Sequence, residues 1–246
     1  KHTALTYLDL SKNSLGPGAV PALSECLPLL TNLRSLYIES NSLPFIYPLE
    51  NLKGLQSLSC SETQVPQFLE LMRVASSLPD LRHLYLESPL VNRDSISQSE
   101  YTMPDLRWMD QLETLVCPDL PLETNLSQPF YQQISQSTRL KTLSVGDYYA
   151  KDFLLSILDN ITQLETLTLV LSRVENCFQL YSTVSKLTNL YRLSLEWHEV
   201  EEVPTFIEMI IHLSQHSLRH FRCKSPRSSV LDPLRSSHYL ISCQLE

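Results

Sequence analysis

Glycine is scarce, with 4 in 246 residues against 15 prolines. Loops that cradle phosphate need glycine for close backbone approach, and none of G-x-x-x-x-G-K-[ST], G-x-G-x-x-G or G-x-S-x-G occurs. The chain therefore has little material for nucleotide binding or for a nucleophile elbow. Punctuation between elements falls instead to proline, serine and asparagine. Long apolar runs are also missing. The best stretch, residues 206–213, is broken by Glu208 and His212 and is far shorter than the roughly 18 residues of a membrane helix. No apolar leader opens the sequence, which enters strand-like alternation at Leu5-Thr-Tyr-Leu-Asp-Leu10 and so reads as a region of a longer chain.

Basic residues are short over most of the length. The first 217 residues hold 14 Lys/Arg and 25 Asp/Glu, whereas the remainder holds Arg219, Arg222, Lys224, Arg227 and Arg235 against Asp232 and Glu246. An acidic body with a basic end disfavours nucleic acid or an anionic membrane as partner. The 6 cysteines form no C-x-x-C pair and no short metal-ligand spacing, which speaks against zinc. His212 and His216 lie four apart but lack the glutamate of H-E-x-x-H, so they read as a solvated helix end.

What the sequence does have is leucine at regular intervals. A frame L-x-x-L-x-L begins at Leu5, Leu33, Leu55, Leu81, Leu112, Leu140, Leu164, Leu190 and Leu218, with a weaker copy at Leu240. The copies are 22 to 31 residues apart, in or near the period of a leucine-rich repeat. Two-residue alternation predicts one short strand per copy, with positions 4 and 6 turned inward and 3, 5 and 7 outward. Helical periodicity appears between strands at residues 65–78, 153–158, 177–187 and 206–213. The expectation is an α/β solenoid, a curved horseshoe of about ten repeats with a parallel sheet on the concave face and helices on the convex face. It spans 1–246 as one domain. The longest spacing contains residues 91–104, which lack apolar periodicity and read as an irregular loop insertion.

The first unit, from Leu5 through Asn13 to Leu27, resembles the long helix-bearing repeats of ribonuclease inhibitor, Ran GTPase-activating protein and NOD-like receptors. Asn13 and Asn41 match that family's asparagine, which the resemblance implies satisfies backbone groups where the chain leaves the strand. Later units place Thr63, Pro89, Leu120, Tyr148, Ser172, His198 and Pro226 there, so their turns are expected to be irregular. The family also contains GTPase-activating proteins, for which Asn13, Arg34 and Arg192 are nominal candidates. By resemblance, a NOD-like receptor sensor region and the substrate-recruiting region of an F-box protein are further alternatives.

Cys60, Cys117 and Cys223 occupy frame position 6 and Cys243 position 4, where small buried thiols are expected. Neighbouring strands carry no matching cysteine, which favours free thiols in a reducing, cytoplasmic compartment. His83 and His220 face outward at position 3 with no serine or cysteine nucleophile in their own repeats, so no catalytic triad is read. Stacked strands offer no deep cleft, and neither cofactor nor small-molecule substrate is expected. The outward positions instead carry Tyr37, Glu39, Glu62, Tyr85 and Glu87, then Arg192, Glu196, Trp197 and Arg222. Tyrosine, tryptophan and arginine most often anchor interfaces. The reading is a non-enzymatic module that binds a protein partner on its concave face.

Overall fold

A computed structural model describes residues 4–41, 43, 49–61, 65–87, 101–118, 124–146, 151–171, 177–197, 203–224 and 242–245. In chain order its elements are β1 (Tyr7–Asp9), α1 (Val20–Cys26), β2 (Ser35–Tyr37), β3 (Ser57–Ser61), α2 (Val65–Ala75), β4 (His83–Glu87), β5 (Thr114–Cys117), α3 (Thr124–Gln136), β6 (Thr142–Gly146), α4 (Lys151–Leu158), β7 (Thr166–Leu171), α5 (Cys177–Val184), β8 (Arg192–Trp197), α6 (Val203–Gln215), β9 (His220–Lys224) and β10 (Ser242–Leu245). The ten strands form one parallel sheet in sequence order. The expected repeat solenoid is the fold observed.

Register follows from the leucine frame. Every ladder pairs residues of equal frame position, as in Leu36 with Leu58, Leu58 with Leu84, and Leu167 with Leu193. Slipping by one residue would turn each leucine out to water, so burial alone selects this pairing. Position 4 is an unbroken column of Leu36, Leu58, Leu84, Leu115, Leu143, Leu167, Leu193 and Phe221, each at most 1% exposed. Ahead of the strand, two successive tight turns lead in: Leu55 N–H donates to the Leu52 carbonyl at 2.8 Å, and Leu52 N–H to that of Leu49 at 2.8 Å. The same Leu-x-x-Leu turn recurs before β2, β4 and β8. Each leucine thus fills the core while its amide caps the descending chain.

Helices α3 to α6 pack in sequence order on the other side of the core. Strands stack about 4.8 Å apart, whereas packed helices need about 8–10 Å. Side-chain amides tie the loops between units: Gln111 Nε2 donates to the Leu78 carbonyl at 3.1 Å and Gln163 Nε2 to that of Ser137 at 2.6 Å.

The asparagine expectation holds where it can be seen. Asn41 is 2% exposed. Its Oδ1 accepts the Asn13 and Leu15 amides at 2.9 and 3.3 Å, and its Nδ2 reaches the carbonyls of Leu10, Ile38 and Glu39. Asn13 Nδ2 repeats the motif toward Leu10 and Ser11. The residue just before each asparagine, Lys12 or Ser40, has positive φ, which turns the side chain back under the strand end. The corresponding turn residues of later units lie outside the described residues.

Of the stretch 91–104, residues 101–104 carry no regular structure, and Tyr101 and Met103 pack on the core, just ahead of buried Leu106. The chain is anchored to the core at this end. Residues 91–100 lie outside the described residues. Among the described residues no helix is long and apolar enough to cross a membrane.

Candidate functional site

In-register stacking turns single outward residues into columns. Position 3 runs Tyr7, Ser35, Ser57, His83, Thr114, Thr142, Thr166, Arg192, His220 and Ser242, and position 5 runs Asp9, Tyr37, Ser59, Tyr85, Val116, Ser144, Thr168, Ser194, Arg222 and Gln244. Read across the sheet, the face divides in three.

Strands β1 to β4 carry an aromatic and acidic patch. The Tyr7 and Tyr37 rings lie 5.4 Å apart at 41°, a spacing suited to ring–ring attraction. The Tyr37 and Ser57 hydroxyls are 3.2 Å apart, and Ser59 Oγ donates to the Glu39 carboxylate. Burial and the proximity of Tyr37 push the Tyr85 phenol above its ordinary pKa, so it stays a neutral donor and acceptor. Asp9 is held below the usual carboxylate range by the Ser11 amide, which donates to Oδ1 at 2.9 Å. His83 Nδ1 lies 3.1 Å from Thr114 Oγ1 on the open face rather than in a cleft.

Strands β5 to β7 are neutral and low in profile, with Thr114, Val116, Thr142, Ser144, Gly146, Thr166, Thr168 and Val170 outward. The flatness at Gly146 is enforced from below. A Cβ there would lie 2.1 Å from the Pro118 carbonyl oxygen, and the Gly146 carbonyl accepts the Tyr131 hydroxyl of α3 at 2.8 Å.

Strands β8 and β9 carry a polar, cationic patch. Arg192 and Arg222 are exposed, and Lys224 Nζ pairs with Glu196 Oε1 at 2.6 Å. The Tyr191 hydroxyl is 2.8 Å from His220 Nε2, with the rings edge-on at 4.8 Å.

The residues singled out from sequence fall into two patches, one near each end of the sheet. Tyr37, Glu39 and Tyr85 sit together, as do Arg192, Glu196 and Arg222, and three neutral strands separate the groups. Glu87 ends β4 and Trp197 ends β8, while Glu62 and the side chains of Glu87 and Trp197 lie outside the described residues. Tyr7 and Asp9 were missed, although positions 3 and 5 of the first frame hold them. Tyr191 sits at position 2, outside the alternation, and only the neighbouring strand's His220 brings it to the face. An open depression of about 820 Å³ at the rim is lined by Glu113, Arg139, Lys141, Gln163, Glu165 and Tyr191 among others. Its charges alternate in sign, and Lys141 faces Glu165 at 3.4 Å.

His212 and His216 are solvated on α6, with rings 4.8 Å apart. Among the described residues no group of three or more potential ligands is placed to hold a metal. Cys60 and Cys117 are buried free thiols, Cys223 is buried as well, and Cys26 is an exposed free thiol. Burial, reinforced by Glu39, pushes Cys60 up to about 12, and burial raises Cys117 as well. Neither is poised as a nucleophile.

No family model matches the sequence, and no curated protein matches it. Among solved structures, internalin C2 of Listeria monocytogenes is 20% identical, with a TM-score of 0.47 over 80% of this chain and 74% of that one. Internalin InlF of the same organism is 14% identical, with a TM-score of 0.41 over 99% and 87%. The chain of a TLR13–ssRNA13 complex is 16% identical, with a TM-score of 0.42 over 88% of this chain and 36% of that one.

Proposed function

The chain is a leucine-rich-repeat protein, and from that premise we propose that it serves as a non-catalytic, cytoplasmic module that binds a protein partner across its sheet face. The observation that carries this reading is the exposed tyrosine pair. Tyr7 is 55% exposed while stacked on Tyr37, an apolar surface held rigid by the ladder beneath it. Ordering such rings costs little further entropy on binding, so much of their burial is gained as affinity.

Charge supports a protein over a nucleic acid. Across β1 to β7, positions 3, 5 and 7 hold no lysine or arginine, so seven strands offer nothing to neutralise a phosphate backbone. Among the described residues, Cys60 and Cys117 are buried free thiols held protonated by burial, which fits a reducing compartment.

The test is capture from matched lysate with the wild-type chain, a Tyr37→Ala/Tyr85→Ala/Trp197→Ala variant, and an Ile211→Ala variant on the helix side. A partner lost only from the triple variant, with circular dichroism unchanged, supports the sheet face. Equal retention by all three would assign binding elsewhere and overturn the reading.

A further inference from the structure

Helix α6 turns its apolar residues to the core and leaves a polar stripe outside. Met209, Ile210 and Leu213 are buried, whereas Glu208, His212 and His216, each four residues from the next, are exposed. Residues four apart on a helix lie one above the other, with Cβ atoms about 5–6 Å apart. At this spacing the rings of His212 and His216 lie 4.8 Å apart, inclined at 61°.

We propose that His212 and His216 form a surface site for a divalent transition-metal ion that favours imidazole, Zn²⁺ or Cu²⁺. One nitrogen of each ring binds the ion, and water fills the remaining positions. The site lies on the helix side and goes beyond the reading of the sheet face, so the two stand or fall separately.

The ring separation fits a chelate. A metal–nitrogen bond of about 2.0–2.1 Å puts the ion about 3.2 Å from each ring centre. Two such rings have centres about 4.5 Å apart when the bonds meet at a right angle and about 5.2 Å apart at the tetrahedral angle. The observed 4.8 Å falls between the two. Each ring then has only to turn one nitrogen toward the shared point, a small torsional change for an exposed side chain.

The surroundings hold both residues near that arrangement. The His212 ring meets the Tyr181 ring of α5 edge-on at 5.6 Å, which limits its freedom on one side. His216 follows the last residue of α6, and its amide donates to the Leu213 carbonyl at 3.1 Å. Arg219 secures the same end, with Nη1 donating to the Ser214 carbonyl and Nη2 to the His216 carbonyl, each at 3.0 Å. The charge of Arg219 opposes that of an ion, while Glu208, exposed one turn before His212, favours it. Among the described residues no group of three potential ligands is assembled. Two imidazoles with open positions make an exchangeable site, in contrast to the closed four-ligand centres that hold folds together.

The experiment is isothermal titration calorimetry of the full chain with Zn²⁺, Cu²⁺ and Mg²⁺ in turn, with the histidine ring C–H resonances followed by NMR through the Zn²⁺ titration. Zn²⁺ is expected to bind, Cu²⁺ to bind more tightly as the divalent series dictates, and Mg²⁺, which takes oxygen ligands, to give no heat. His212→Ala and His216→Ala should each weaken Zn²⁺ binding by at least about tenfold, a loss that even changes behind the ligands cause. The resonances of these two histidines should move together. His83→Ala/His220→Ala and Cys26→Ser, which remove donors elsewhere, should leave the affinity unchanged. Unaltered circular dichroism in every variant separates loss of the site from loss of the fold.

Zn²⁺ bound equally well by either single alanine variant, resonances that move at other histidines instead, or no heat with Zn²⁺ in excess would each overturn the proposal.

Discussion

Asn41 shows how much one side chain can settle. Its two polar atoms meet five backbone groups from two repeats, so truncation leaves buried amides and carbonyls unsatisfied. Asn41→Ala should cost about 1–3 kcal/mol in urea unfolding, with faster exchange at the Asn13 and Leu15 amides. Gly146 is limited by space rather than by conformation: Gly146→Ala should cost about 1–3 kcal/mol, whereas Gly18→Ala, with nothing within 4 Å, should be near neutral. The thiols give a pH dependence of definite sign. An unfolded cysteine ionises near 8.5, but buried Cys60 resists until about 12 and Cys117 is raised too. Their stabilising contribution is complete below about pH 8.5 and is lost as pH climbs toward the folded values, by about 1.4 kcal/mol per pH unit for each thiol. Melts between pH 8 and 10 should show this slope, and Cys60→Ala/Cys117→Ala should flatten it. In the native state alkylation should mark Cys26 and spare Cys60, Cys117 and Cys223. The leucine frame made these burial assignments legible, because positions 4 and 6 of a strand have only one way to face. The constraint on Gly146 was not legible, since it arises from Pro118 just after the neighbouring strand β5 and Tyr131 on a helix.

At the scale of elements, strands were easier to read than helices. Each strand sits where L-x-x-L-x-L places it, because a period of two and an invariant apolar column admit one register. The helix pattern is diluted where polar residues and a proline interrupt it. Thus α3, with Pro129 inside and Asn, Ser and Gln along it, was not among the stretches marked as helical, yet it buries Leu126, Phe130, Tyr131 and Ile134. Its Phe130 meets Phe68 of α2 edge-on at 5.7 Å, locking helices that flank the insertion. Phe130→Ala should therefore cost about 3–5 kcal/mol by denaturant unfolding. The loss should exceed that of Tyr181→Ala, whose ring is only partly buried.

Across the whole molecule, stability is a sum of neighbour contacts and need not be uniform. Among the described residues the first unit is lightly covered: Leu5 and Leu29 are 36% and 69% exposed, and α1 buries no residue fully. Hydrogen exchange should therefore be fastest in β1 and α1 and slowest in β6 to β8, whose position-4 leucines are wholly enclosed. Uniform protection would mean that the solenoid unfolds as one unit instead. The candidate site is a property of this scale as well, since each repeat contributes only two or three side chains to it.

The sequence alone determined the repeat, the strand register, the inward leucines and the list of outward residues, because strand alternation is local and burial leaves each frame one orientation. Tertiary structure decided which of those residues are neighbours. It set three neutral strands between the aromatic acidic patch and the cationic patch, brought Tyr191 onto the face, paired Lys224 with Glu196 and pressed Gly146 against Pro118. The physical reason is that a repeat's partners lie 22 to 31 residues away along the chain but one strand spacing away in the sheet. Pairing, charge cancellation and close contact are therefore set by the stack and not by any single unit.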